Sequence, residues 1–166
     1  MPYYFAYGSN MNVARVEARI GTTRRSLAGT LRDHALRFDK ASRVSGIAHA
    51  NVVPLAGERV EGALFELLEP RQIERMDPFE GYPLEYERHR LPIVTLEGAI
   101  EAWVYIAAPG MTAPSLRPAH EYLEHLLAGE PFLSADYHRR LAQVDAVRGL
   151  DEPTLAQLGL SRHSPR

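Results

Sequence analysis

The chain has 166 residues, 45% hydrophobic and 24% charged, with a formal net charge of −2; this is enough to bury a core in one domain of ordinary soluble composition. It contains no cysteine, which excludes disulfides, thiolate catalysis and cysteine-bound zinc or iron–sulfur clusters. The balanced charge gives no electrostatic footprint for nucleic acid, and no apolar run approaches the roughly 18 residues of a membrane span.

The opening stretch lacks the basic and apolar regions of a secretory signal, so a cytoplasmic protein is the default expectation. One of the 19 basic residues is lysine, Lys40, a bias expected of a GC-rich bacterial genome.

In chain order, "YYFAY" (Tyr3 to Tyr7) is aromatic and β-prone and stops at Gly8-Ser9-Asn10. Asn10 or Asn12 can cap a helix running to Ile20, which Gly21 is placed to end. Four short strands are expected next, at Ser26 to Leu31, Ala35 to Phe38, Ile47 to Val53 and Arg59 to Leu68, broken at Gly29, Gly46, Pro54 to Gly57 and Gly62. The segment "EPRQIERMDPFEG" has Pro70 near its first turn and Gly81 beyond its end, the punctuation of a short helix. Tyr86 to Thr95 and Ala99 to Ala107 read as a hairpin around Glu97-Gly98. From Arg117 the pattern turns helical, with Tyr122, Leu123, Leu126 and Leu127 on one side and Ser134 capping a later helix.

Strands crowd the first two-thirds and helices the last third. That order favours an α+β fold, with a curved or barrel-like mixed sheet and helices at its margin. Residues 1–150 are expected to form one domain and 151–166 a short, partly flexible extension whose terminal "SRHSPR" reads as a frayed tail.

The candidate chemistry narrows quickly. "HEYLEH" suggests a metal site, but His120 and His125 are five apart, about 140° around a helix, and cannot share one ion. His120–Glu124 and Glu121–His125 read instead as surface pairs, and His34, His49, His89, His138 and His163 have no ligand spacing. Ser9 sits in a strand-to-helix turn without the G-x-S-x-G frame of a nucleophile elbow.

The turn has a second use. Successive backbone N–H groups at a helix start can bind an anion or polarise a carbonyl, although Gly8 and Asn10 can equally be there for turn and cap conformation. In "MDPFEGYPLEYER", Glu80 lies at a helix end between Phe79 and Tyr82, with Asp77 one turn earlier. Apolar neighbours and a nearby like charge raise a carboxylate's pKa, as a general base working near neutrality requires; a surface residue at a helix end satisfies the same local sequence.

"YYFAYGSNM" followed some seventy residues later by "MDPFEGYPLEYER" resembles the γ-glutamylcyclotransferase family, which includes γ-glutamylamine cyclotransferases, AIG2-like proteins and the cyclotransferase of butirosin biosynthesis. "RVEGALFELLEPRQIERMDPFEGYP" is similar to that family's strand–helix segment, with Met76 where leucine is usual, and "IEAWVYIA" and "LLAGEPFLSADYHRRLAQV" are similar to its last strand and C-terminal helices. The resemblance covers nearly the whole chain. It implies release of an amine or amino acid from a γ-glutamyl compound by cyclisation to 5-oxoproline, with no metal or cofactor.

Glu80 is then the expected catalytic residue. Tyr7, Gly8, Ser9 and Asn10 become the substrate cradle, and Tyr86 a pocket tyrosine. Of Trp103 and Tyr105 at most one is expected to face the pocket, with Tyr105 the choice, while Glu85 and Glu87 are expected to point outward. The partner implied is a small γ-glutamyl molecule, with oligomeric state open. A non-catalytic binding protein of the same fold and an amide hydrolase using water are the alternatives.

Overall fold

The computed structural model describes residues 2–161. Strands β1 (Tyr3–Ala6), β2 (Arg25–Ala41), β3 (Ile47–Glu66), β4 (Tyr86–Thr95) and β5 (Gly98–Ala107) follow the order β1-β5-β4-β2-β3, and β1 pairs back onto β3 to close a barrel. The β1–β5 pairing is parallel, and the other barrel pairings are antiparallel. A short β6 (Arg117–Pro118) is appended in parallel to β3. Around the barrel lie α1 (Val13–Ile20), α2 (Asp77–Glu80), α3 (His120–Leu127), α4 (Ala135–Ala142) and α5 (Glu152–Gln157), with 3-10 turns at Ser9–Met11, Pro70–Arg75 and Glu130–Phe132. The architecture is the α+β, barrel-like sheet expected from the element order. Among the described residues, no helix is long and apolar enough to cross a membrane.

The four short strands expected between residues 26 and 68 are two long ones. Gly29 and Gly62 do not end strands; they face each other in register inside the β2–β3 pair. A Cβ at Gly62 would lie 2.3 Å from the Ala6 carbonyl oxygen and 2.9 Å from the Phe5 ring, and one at Gly29 would lie 2.6 Å from Ile93. The missing side chains admit the fully buried Phe5 ring and let β1 close the barrel. The Pro54 to Gly57 signal marks an excursion within β3, opposite a register shift between Arg32 and His34. There Asp33 takes a left-handed conformation (φ 57°) and its Oδ1 accepts the Gly57 N–H at 3.0 Å.

A second shift, between Arg37 and Lys40, changes the phase of β2, and Lys40 is buried. Asn12, rather than Asn10, caps α1 by accepting the Ala14 N–H, and Gly21 (φ 85°) closes it. The helix expected over "EPRQIERMDPFEG" is split at Met76, because Pro78 opens α2 as a new helical start; Gly81 (φ 63°) then terminates α2. Arg117 begins β6 rather than a helix, and α3 starts only at His120. Ser134 caps α4 through the Tyr137 N–H.

Beyond residue 150, Asp151 caps α5, and Leu155, Leu158 and Leu160 are buried in the main core. The tail expected at "SRHSPR" lies, after Ser161, outside the described residues.

Gly62→Ala should destabilise the protein by about 3 kcal/mol or more, at the upper end of ordinary overpacking because the clash is with backbone. Urea denaturation of the two proteins measures it.

Candidate active site

The β1 strand delivers Tyr7, and the chain turns through Gly8 into the 3-10 turn Ser9–Met11 and then α1. The short helix α2 brings Glu80 to the same place from the far side of the sequence. Asn10 joins them. Its side-chain N–H₂ group donates to Glu80 Oε1 at 3.3 Å and to the Tyr4 hydroxyl at 2.9 Å, and its Oδ1 accepts from Arg19 at 3.4 Å. Met76, the residue that stands for leucine, lies with its sulfur 3.4 Å from the same amide nitrogen.

These groups border a cavity of about 320 Å³. Tyr7, Gly8, Ser9, Asn10, Glu80, Tyr86 and Tyr105 all line it, so the expected catalytic and substrate-contacting residues border one cavity. Glu80 stays partly open to this cavity while surrounded by protein, and burial pushes its carboxyl above the ordinary range. Arg19, Arg15 and Lys40 oppose that shift, and Glu85 adds to it.

The like charge beside Glu80 is therefore Glu85, not Asp77 as expected. Asp77 accepts two hydrogen bonds from Arg88, at 2.9 and 3.0 Å, and one from the Tyr105 hydroxyl at 2.7 Å. That clamp fixes the start of α2 against β4 and β5.

Glu85 corrects a second expectation. It faces the cavity, with Oε1 2.5 Å from Lys40 Nζ. The Lys40 ammonium beside it holds the Glu85 carboxyl below its usual range. Glu87 does lie at the surface, 3.2 Å from His89. Lys40, the one lysine of the chain, is only 2% exposed and lies over the Tyr86 ring.

Trp103 and Tyr105 are two residues apart and share one face of β5; what distinguishes them is what covers that face. Tyr105 lies under the start of α2, whereas Trp103 stacks on Arg88 and Arg90, 4.5 and 4.7 Å from its ring, beside a separate groove.

Other lining residues were not found from sequence. Arg15 and Arg19, one turn apart on α1, carry positive charge to the turn: Arg15 Nε donates to Ser9 Oγ at 3.3 Å, and Arg19 stacks on Phe79 at 4.7 Å. Their i,i+4 spacing directly after the turn was the available signal. His49, which pairs with Lys40 across the β2–β3 ladder, also reaches the cavity. Burial, then Lys40 and Arg15, lowers its imidazole to about 4. Tyr122 reaches in from α3, and Ala156 to Gly159 supply a wall from the C-terminal segment.

Among the described residues, no group of three or more His, Asp or Glu could hold a metal ion. His120 approaches Glu124 at 4.0 Å, whereas His125, expected in a surface pair, is buried with Nδ1 3.0 Å from Asn12 Nδ2.

His49 makes stability pH-dependent with a defined sign. Its folded value lies below its unfolded one, so unfolding takes up a proton once the pH falls below about 6.5. Denaturation midpoints should hold steady above that pH and decline toward pH 4, with up to about 2 kcal/mol lost from this residue by pH 5. In His49→Gln that part of the decline should be absent.

A family model described as gamma-glutamyl cyclotransferase, AIG2-like, matches residues 4–125. Among solved structures, the human uncharacterized protein loc79017 superposes with a TM-score of 0.77 at 22% identity, over 94% of this chain and 96% of that one. A structure titled gamma-glutamyl cyclotransferase gives 0.74 at 20% identity, over 95% and 96%. YkqA from Bacillus subtilis gives 0.73 at 19%, over 88% of this chain and 56% of that one. At these identities the structural likenesses establish the fold. No curated protein matches the sequence significantly.

Proposed function

Because the chain belongs to the gamma-glutamyl cyclotransferase, AIG2-like family, we propose that it releases an amine or amino acid from a γ-glutamyl compound, with formation of 5-oxoproline. The observation that supports this reading is the Glu80 carboxylate, placed in a cavity with its pKa raised and tied through Asn10 to the turn after β1.

The chemistry asks little of the protein. The substrate's own α-amino group attacks its γ-carbonyl carbon, a C–N bond forms, and the original amide C–N bond breaks. The α-nitrogen passes from –NH₃⁺ to the lactam N–H and so loses two protons. Glu80 takes the first before attack and the second as the ring forms, and hands each to the departing nitrogen, which leaves as an ammonium. The residue ends as it began and no net proton is exchanged. An ordinary carboxylate is a weak acceptor for an ammonium proton. Burial narrows that mismatch.

Folding the substrate so that amine and carbonyl touch supplies much of the remaining rate through proximity. Tyr7, Gly8, Ser9 and Asn10, with Tyr86 and Tyr105, are the proposed substrate-contacting residues. Arg15 and Arg19 supply cations for the substrate α-carboxylate. The reaction as written uses neither metal nor cofactor, and cytoplasmic residence suits a small γ-glutamyl substrate.

Incubation with a panel of γ-glutamyl amines and γ-glutamyl amino acids, followed by mass spectrometry, should yield 5-oxoproline; free glutamate would identify hydrolysis instead. Glu80→Gln should lower turnover on the order of 10²–10⁴-fold without shifting the thermal midpoint downward. Wild-type turnover in that variant contradicts the mechanism.

The base must be ionised to work, so kcat/KM should rise with pH through a value above the ordinary 4.5 of a glutamate and fall away below it. A pH–rate profile whose acid limb lies at or below 4.5 would count against Glu80.

A further inference from the structure

The cavity is rich in tyrosine, and the hydroxyls differ in what they do with their protons. A phenol has one O–H to donate and lone pairs that accept. Tyr7 donates to the Tyr105 carbonyl oxygen at 2.5 Å, Tyr86 to the Ala50 carbonyl oxygen at 2.7 Å, and Tyr105 to Asp77 at 2.7 Å. These three protons are committed to the fold.

Tyr122 is wired in the opposite sense. Its hydroxyl oxygen accepts the Ala50 backbone N–H at 2.9 Å. Among the described residues, no acceptor takes its proton, although the side chain is 94% buried and borders the cavity. The hydroxyl stands against the turn: a Cβ at Gly8 would lie 2.9 Å from it. The backbone there has φ −112°, so the glycine is needed for this close approach and not for a left-handed conformation.

We infer that Tyr122 is a catalytic residue, donating its hydroxyl proton as a hydrogen bond to the oxygen of the substrate γ-carbonyl as negative charge develops there. This rests on the proposed cyclisation. No proton is transferred at this step, and when the tetrahedral centre collapses the oxygen returns to a carbonyl.

The alignment has two energetic merits. The Ala50 N–H on the phenol oxygen polarises its O–H, making it a stronger hydrogen-bond donor. Tyr4, whose hydroxyl accepts from Asn10, has its phenol driven far up by burial and the Glu80 charge. The Tyr122 phenol, also raised by burial, is held to about 12, with the Ala50 N–H first and the Arg15 charge next among the groups that lower it. A preorganised donor aimed where charge appears also needs no reorganisation during the reaction.

The test compares Tyr122→Phe with a protein carrying 3,5-difluorotyrosine at position 122, using whichever γ-glutamyl substrate gives 5-oxoproline. Tyr122→Phe should lower kcat on the order of 10²-fold and leave KM within about threefold. The difluorotyrosine protein keeps the acceptor for Ala50 and has a more acidic O–H, so its kcat should equal or exceed that of the wild type. Unchanged kcat in Tyr122→Phe, or a loss confined to KM, overturns the assignment. If the phenylalanine variant fails to fold, the fluorinated protein decides: kcat below wild type overturns the role, and kcat at or above it supports the role. A wild type that makes no 5-oxoproline refutes the proposed function itself, whereas an active wild type with an indifferent Tyr122 refutes only this inference.

Discussion

A carboxylate enclosed in protein is costly to ionise, and the surroundings of Glu80 are organised around that cost. Complete isolation would leave it a permanent neutral acid; full pairing would make it a permanent anion of little basicity. Neither limit is reached. Asn10 gives it one long hydrogen bond, and Arg19, Arg15 and Lys40 stabilise its charge from a distance, without an ion pair to Glu80. Glu85 takes the direct contact with Lys40, and its own charge opposes that cation's effect on Glu80. Burial prevails in the balance. A carboxyl with a raised pKa results, suited to accepting and returning a proton.

The fold meets this constraint by closing a barrel. Tyr7–Asn10 and Glu80 are separated by some seventy residues, and neither element is long enough to find the other through local structure. β1 is inserted between β3 and β5, and the Gly29–Gly62 pair leaves the space that lets Phe5 enter and β1 seat. The Arg88–Asp77–Tyr105 clamp then sets α2 against the neighbouring hairpin, and the bulge near Lys40 turns the sole lysine inward. Each device governs the placement of Glu80 or of a charge that acts on it.

The local elements were legible because their signals are local. Asn12 and Gly21 bound α1, Gly81 ends α2, Ser134 caps α4, and the β4–β5 hairpin turns before Gly98. Where the sequence misled, a residue's reason was tertiary. Gly29 and Gly62 look like strand breakers and are clearances. Glu85 looks outward beside Tyr86, but the loop after α2 turns it toward Lys40. Asp77 is a neighbour of Glu80 along the chain, but its carboxylate is engaged by Arg88 and Tyr105. Lys40, His49 and Tyr122 had no motif to announce them. The first two depend on a bulge and a strand register, and Tyr122 reads as one more apolar position on a helix until its hydroxyl is located.

The same distinction bears on specificity. The family match ends at residue 125, and it already contains Glu80, the turn, both α1 arginines, Lys40 and Tyr122, which together carry the charges of the proposed reaction. The part of the cavity wall formed by Ala156 to Gly159 lies beyond that match. It is not a loose appendage: Leu155, Leu158 and Leu160 anchor it in the core, and Arg15 donates to the Gly159 carbonyl oxygen at 3.1 Å. Gly159 has no side chain to intrude; a Cβ there would come within 3.8 Å of Arg19 and 3.9 Å of Arg15. A wall seated by apolar contacts and tied to a cation of the site is built separately from the proton chemistry beneath it. In the proposed reaction a leaving group needs no charged catalyst of its own, only room, and this C-terminal wall supplies part of the room beside the proton chemistry.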